Sequence, residues 1–352
     1  MTKKLASMRM NCRKLLVALC LCSTQTLVAQ DIHLSQFYET PILRNPALIG
    51  LFHGDYRIQA VYRNQWNSVT IPYQTGALSA ELKFPVGNSE DFVTAGLQFT
   101  YDRAGTARLQ SVQVLPAVNY HKSLSQDRNM FLSVGFTGGI VQRQFDQTKV
   151  TFNNQYTGGQ FDPTAPTGED GRLALRGYSY LDAGAGLSFN SSLGENEDIN
   201  YYIGAAIFHF NRPKLSFYKD ATVALDPKFT INAGITFPLQ ERLKLIAQYN
   251  EIHMGTYAEY LGGALLGYSL YDEGLESTRA FYVGAYMRYK DAIIPSFRLD
   301  MEKYEVGFTY DANISGLKPA TNGFGGFEVS LVFKGFLNSR NSTMDAVHCP
   351  RF

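Results

Sequence analysis

The sequence predicts an all-β chain that closes into a transmembrane, antiparallel outer-membrane β-barrel of about fourteen strands, with a plug-like N-terminal segment. Three observations carry that prediction. Segments of roughly ten residues or more alternate apolar and small polar side chains along most of the chain. Nothing downstream of the first thirty residues approaches the roughly eighteen consecutive apolar residues of a membrane helix. The connections between alternating segments are long and short by turns, as in barrels with short turns on one side and longer loops on the other.

The stretch "VTAGLQFTY" (93–101) shows the pattern. Successive side chains of a strand point to opposite faces, so Val93, Ala95, Leu97, Phe99 and Tyr101 share one side and Thr94, Gly96, Gln98 and Thr100 the other. In hydrocarbon a backbone must satisfy its own hydrogen bonds, which a closed barrel does without a free edge. The apolar face then meets lipid and the small polar face lines the lumen. A soluble exported sandwich or propeller would instead bury that apolar face as a core. The number of long apolar-faced strands and the lack of a blade-like repeat argue against it.

In chain order, a basic stretch (Lys3, Lys4, Arg9, Arg13, Lys14) precedes the apolar run "LLVALCLC" (15–22), and a small Ala29 follows. This predicts a secretory signal peptide over 1–29, cleaved after Ala29. Of the 4 cysteines, cleavage leaves Cys349, so no internal disulfide is expected. Residues 30–53 lack a period of two and contain Pro41 and Asn45-Pro46. They are read as a structured periplasmic or plug segment. Strands are expected over 54–66, 72–84, 91–102, 108–122, 129–145, 178–190, 198–210, 227–238, 241–251, 255–270, 279–290, 292–301, 302–312 and 323–336. Together they make a barrel spanning 54–336, followed by a periplasmic tail over 337–352. The registers between 241 and 301 are the least defined by alternation.

An even-stranded barrel leaves both chain ends in the periplasm, so connections after odd strands face outside. These include the two longest, 146–177 and 211–226. By the same parity residues 31–50 start on the periplasmic side. "SQFY" and "NPALIG" are too apolar for a free tail, which favours a plug folded into the lumen. Gln36, Phe37, Asn45 and Pro46 are then expected to pack against lumen groups such as Arg63.

The formal net charge is +1 over 352 residues, which leaves no footprint for nucleic acid or anionic lipid. The 6 histidines are scattered without metal-ligand spacing. There is no nucleophile elbow and no phosphate-cradling loop. No enzyme, metal or cofactor is predicted. The unusual stretches are polar and aromatic: "YRNQWNS" (62–68), "IFHFNRPKLSF" (207–217), "YKDAIIPSFRLD" (289–300) and "YDANISGLKPATNGFGGFEVSL" (310–331). Charge at the bilayer midplane costs about 2–4 kcal/mol. Arg63, Arg212, Asp291 and Asp311, with Trp66, are therefore assigned to rims or lumen as candidate plug contacts. Phe161, Asp162, Glu169 and Asp170 in the long outer loop, and Cys349 in the tail, are candidate partner-facing residues.

At "SQFYETPILRNPALIG", "YRNQW", "FHFNRPKLSF", "DAIIPSFRLDMEKYEVGFTYDANISGL", "GGFEVSL" and the terminal "CPRF" the chain resembles the PorP/SprF family of type IX secretion membrane proteins of Bacteroidetes. The likeness covers essentially the whole mature sequence. It implies a fourteen-strand-class outer-membrane barrel, broadly like fatty-acid-transporter barrels, and a non-enzymatic role in type IX secretion. The expected partners are the secretion machinery, or a secreted adhesin with a C-terminal sorting domain, as in gliding-motility members. The barrel architecture taken alone suggests an alternative, a transporter or porin for small or hydrophobic solutes.

Overall fold

The computed structural model describes residues 31–67, 71–87, 90–125, 129–168, 177–194, 198–215, 217, 223–272 and 275–337. The expected signal peptide, the tail beyond 337 with Cys349, and Glu169 and Asp170 lie outside these residues.

Among the described residues, fourteen antiparallel strands close into one barrel. The first five are β1 Tyr56–Gln65, β2 Tyr73–Pro85, β3 Phe92–Ala104, β4 Leu109–Ser123 and β5 Met130–Gln144. Next come β6 Gly177–Leu193, β7 Ile199–Phe208, β8 Lys228–Gln240, β9 Leu243–Met254 and β10 Tyr257–Asp272. The last are β11 Leu275–Arg288, β12 Ala292–Met301, β13 Tyr304–Asn313 and β14 Phe324–Gly335. Each strand pairs with its sequence neighbours, and β1 closes on β14 with Tyr56 opposite Gly335. We call the end holding those two residues the near end. No described helix is long and apolar enough to cross a membrane.

Alternation sets the two faces. In β3, Leu97 and Phe99 point outward and are nearly half exposed, while Thr94, Gln98 and Thr100 are fully buried inside. β5 repeats this with Leu132, Val134, Phe136 and Ile140 outside and Ser133 and Thr137 inside. Outward apolar side chains that water would penalise are the ones a bilayer accepts.

The structure departs from expectation in three places. The inner face is not uniformly small and polar: over β9–β12 it carries Ile246, Leu261, Leu265, Tyr282, Tyr286 and Ile294, all buried. Those strands are apolar on both faces, since Leu266, Val283 and Ile293 point outward. The expected connection at 270–278 is shorter, because β10 and β11 continue their ladder to Asp272 opposite Leu275. Its sequence, "SLYDEGLEST" (269–278), is too polar to show a period of two. Within the long loop after β5, Tyr156–Thr157 and Gln160–Phe161 form a small hairpin. Its turn residues Gly158 and Gly159 take φ of 64° and 84°, the pair of positive values that a two-residue hairpin turn requires and glycine supplies.

Candidate functional site

The candidate site is the seat of the N-terminal segment inside the barrel. Residues 34–52 are almost wholly buried. Tight turns at Phe37–Glu39 and Pro46–Leu48 flank a short helix, α1, over Pro41–Arg44. Pro41 and Pro46 each open a turn, where a missing N–H costs nothing. The Asn45 side chain caps the second turn by accepting from the Ala47 amide at 2.8 Å.

The segment begins against the far half of the barrel. The Ser35 and Gln36 amides donate to the two Glu328 carboxylate oxygens at 2.7 and 2.8 Å. The Ser35 hydroxyl donates to Asp311 at 2.6 Å and accepts from Arg63 at 3.0 Å and Arg288 at 2.6 Å. Arg63 also pairs with Glu328, and with Asp311 at 3.0 Å. Arg288 pairs with Asp311 at 3.1 Å and lies 3.6 Å from Glu259. This cluster spans β1, β10, β11, β13 and β14 and is closed off from solvent. Buried charges are tolerable when paired and hydrogen-bonded, which is how these are held. His33, beside the cluster, is held below the usual imidazole range by burial and by Arg288 and Arg63, against the pull of Glu259.

From there the segment descends to Glu39, which accepts from Gln59 of β1 at 2.7 Å, and crosses to the opposite wall. Asn45 donates to the Leu187 carbonyl and to Asn232, at 3.1 and 3.0 Å. Asn119 grips the Ala47 and Ile49 carbonyls, both at 2.9 Å, and His121 meets the Ile49 carbonyl at 2.8 Å. Ile42 and Ile49, fully buried, pack on Leu115 and Ala117 of β4; each such side chain contributes about 1.5–3 kcal/mol. Phe37 meets Tyr286 edge to face at 5.5 Å. Two glycines make room. Gly50, at φ 90°, sits where a Cβ would strike Thr94, and a Cβ on Gly135 of β5 would overlap the Pro46 carbonyl. The segment leaves at the near end, where the Gly50 amide donates to Glu81 at 2.8 Å and Lys83 to the Phe52 carbonyl.

Burial pushes the Glu39 carboxyl up to about 7, with the Glu305 carboxylate adding to it, against Arg298 and the Gln59 bond.

The structure thus brings Gln36, Phe37, Asn45, Pro46, Arg63 and Asp311 into one seat. Within the segment expected to be periplasmic or plug-like, Ser35 and Gln36 reach the far half of the barrel and the chain leaves at the near end. Asp291 stands at the far rim, tied to the cluster through Arg288 at 2.9 Å. Trp66 and Arg212 are elsewhere. Trp66 ends β1 and packs on Tyr73 at 4.9 Å. The Arg212 side chain is 61% exposed and lies 3.7 Å from Asp226. Both follow their strand ends, where the chain turns out of the wall. Phe161 is exposed on the loop hairpin, and Asp162 just beyond it accepts from the Thr164 hydroxyl at 2.6 Å. Glu328, Arg288 and Ser35 were missed by the sequence reading. Glu328 carries a usable signal, a lone carboxylate at an inward position of the apolar strand "GFEVSLVF" (326–333).

An antiparallel barrel with an apolar outer band and a lumen occupied by its own N-terminal segment defines a class, the outer-membrane barrels. Within it, the chain belongs to the PorP/SprF family: the model described as "Type IX secretion system membrane protein PorP/SprF" matches residues 26–333. No curated protein matches the chain. Among solved structures it is similar to a TodX monoaromatic hydrocarbon channel mutant, at 10% identity and a TM-score of 0.44, covering 84% of this chain and 93% of that one. It is also similar to CdiB from Escherichia coli, at 10% identity and a TM-score of 0.42, covering 78% and 63%. A third, the KdgM porin in complex with disordered oligogalacturonate, has 6% identity and a TM-score of 0.35, covering 79% and 98%.

Proposed function

We propose that this chain is a non-enzymatic outer-membrane component of the type IX secretion system that works as a closed platform. It supports export or surface attachment of a secreted partner, an adhesin with a C-terminal sorting domain, or docks on the secretion machinery. The observation that supports this is the occupied lumen. A barrel whose interior is taken up by its own residues 34–52, pinned on opposite walls by hydrogen bonds, at one wall to buried ion-paired side chains, is suited to presenting surfaces more than to passing solutes. That same feature counts against the porin alternative. The surface offered to a partner is the long loop after β5, where Tyr156 and Phe161 stand exposed and paired at 5.5 Å.

The test is surface display in cells lacking the native copy. Full-length chain is expected to restore display of proteins carrying type IX sorting domains. A variant with residues 151–168 replaced by a short Gly-Ser linker is expected to reach the outer membrane but lose most of that display. Full display by the shortened variant would remove the loop from the proposal, and failure of the full-length chain to restore any display would remove the secretion role.

A further inference from the structure

A cavity of about 180 Å³ lies between the plug and the inner faces of β1 and β7–β14, toward the near end. Its walls combine plug residues (Tyr38, Arg44, Leu48, Leu51) with Tyr202, Thr236, Lys244 and Ile246. Glu302, exposed in the turn between β12 and β13, also lines it, so the cavity reaches the near-end surface.

Arg44 is the unusual member. It is 8% exposed, and its guanidinium donates from Nη2 to the Tyr202 hydroxyl at 2.7 Å. Its Nε and Nη1 are buried without a hydrogen-bond partner among the described residues. No described carboxylate lies within ion-pair distance of it. The rings of Phe37 and Tyr202, at 5.4 and 5.2 Å, shelter the cation without meeting its donors. A buried charge left in this state is strongly unfavourable unless something completes it. The Thr236 hydroxyl is likewise buried without a partner. Lys244, on the same cavity, faces the Tyr282 ring at 5.0 Å and pairs with no described carboxylate. By contrast the other cations of the lining each have a carboxylate within ion-pair distance: Arg57 has Glu81, Arg298 has Asp300 and Lys334 has Glu305. Beside Leu48, Leu51 and Ile246 the unmet groups are the donors of Arg44 and Thr236, while across the cavity Arg298 Nε and Asp300 Oδ1, 3.1 Å apart, also lack a hydrogen bond but face each other.

We infer that this cavity is a binding site for a carboxylate carried on a small apolar body. The carboxylate accepts from Arg44 and Thr236 with Lys244 nearby, and the apolar body rests on Leu48, Leu51 and Ile246. A single negative charge suits a site with one buried cation and one half-buried one, and a guanidinium is the side chain best matched to a carboxylate. Two sources present that chemistry, a free organic acid and the C-terminal residue of a polypeptide. The inference does not depend on the secretion role.

The test uses the full chain purified in detergent, with empty micelles as the control. Binding of phenylacetate and of N-acetyl-leucyl-leucine is measured by ligand-observed NMR, each beside its neutral amide. The acids are expected to bind at least tenfold tighter than the amides. Arg44→Met is expected to weaken acid binding at least tenfold, and Thr236→Val and Lys244→Met several-fold each. Should Arg44→Met not fold, the other two variants carry the test. Tighter binding of the dipeptide acid assigns the site to a polypeptide end, and tighter binding of phenylacetate to a small organic acid. Equal binding of acids and amides, or acid affinity unchanged within twofold in Thr236→Val and Lys244→Met, overturns the inference and leaves a water-filled cavity.

Discussion

Arg63 is a single side chain that holds three strands and the plug together. It pairs with Asp311 of β13 and Glu328 of β14 and donates to Ser35, all inside the barrel. Removing one partner of a buried ionic group leaves the others uncompensated, which costs about 3–5 kcal/mol. Arg63→Met is therefore expected to destabilise the folded barrel by that order, read as a lower urea midpoint in detergent. A loss below about 1 kcal/mol would mean that Arg288 alone satisfies both carboxylates. Glu39 gives a second prediction, in pH. Its carboxyl titrates near 7 in the folded chain against an ordinary value of 4.5. A folded value raised above the unfolded one gives stability that is fully present below about 4.5 and lost as pH rises through 7. Between pH 4.5 and 8 wild type should lose on the order of 3 kcal/mol more than Glu39→Gln, which keeps the Gln59 bond but does not titrate. Parallel pH profiles for the two would show that Glu39 is ionised throughout. At this scale the sequence was partly legible. Arg63 and Asp311 announced themselves as charges on apolar strands at inward positions. Trp66 and Arg212 sit at similar stretches, but the strand ends just there, and parity ceases to specify a face.

The strands were legible where their two faces differ and illegible where they do not. β3, β5, β6 and β13 alternate cleanly because lipid lies outside and polar plug contacts lie inside. β9–β12 carry Leu261, Leu265, Tyr286 and Ile294 inward, as the apolar seat of Phe37 and its neighbours. Apolar residues on both faces erase the period of two, which is why the registers between 241 and 301 resisted the sequence. The plug itself has no periodicity, so its apolar content alone betrayed it. Its path across the lumen depends on contacts more than 100 residues away, such as Asn45 with Leu187 and Asn232. Among the contacts that fix this path, Gly135 is the sharpest. A side chain there would occupy the space of the Pro46 carbonyl and the Ala47 amide. Gly135→Val keeps the β5 ladder and its strand propensity while displacing that turn, at a packing cost of about 1–3 kcal/mol. The expected result is an intact barrel in which residues 46–49 become accessible, seen as faster amide exchange at Ala47 and Ile49. Unchanged protection there would place the turn elsewhere than against β5.

The whole molecule can be read as two structures that need each other unequally. The wall is a closed ladder in which every strand has two neighbours, so its hydrogen bonds survive without the plug. The plug has two tight turns and one short helix, far below the length at which a segment holds its own fold in water, and depends on the wall. Deleting residues 31–45 should therefore leave a closed barrel. Gln59, Asn232 and Ser330, freed from Glu39, Asn45 and Gln36, would be hydrated at little cost, whereas Leu261, Leu265 and Ile294 would meet water. At about 25 cal/mol per Å² of newly wetted apolar surface, that exposure lowers the melting temperature without opening the wall. The charged ring of Arg63, Asp311, Glu328 and Arg288 would then line a wet passage and favour small ions. Single-channel recordings in planar bilayers are the measurement. Wild type is expected to be silent or nearly so, and the deletion to conduct steadily, with ion selectivity that shifts when Glu328 is changed to Gln. A folded deletion variant that stays silent would show that other segments close the lumen. A wild type that already conducts steadily would restore the solute channel as the better reading of the barrel.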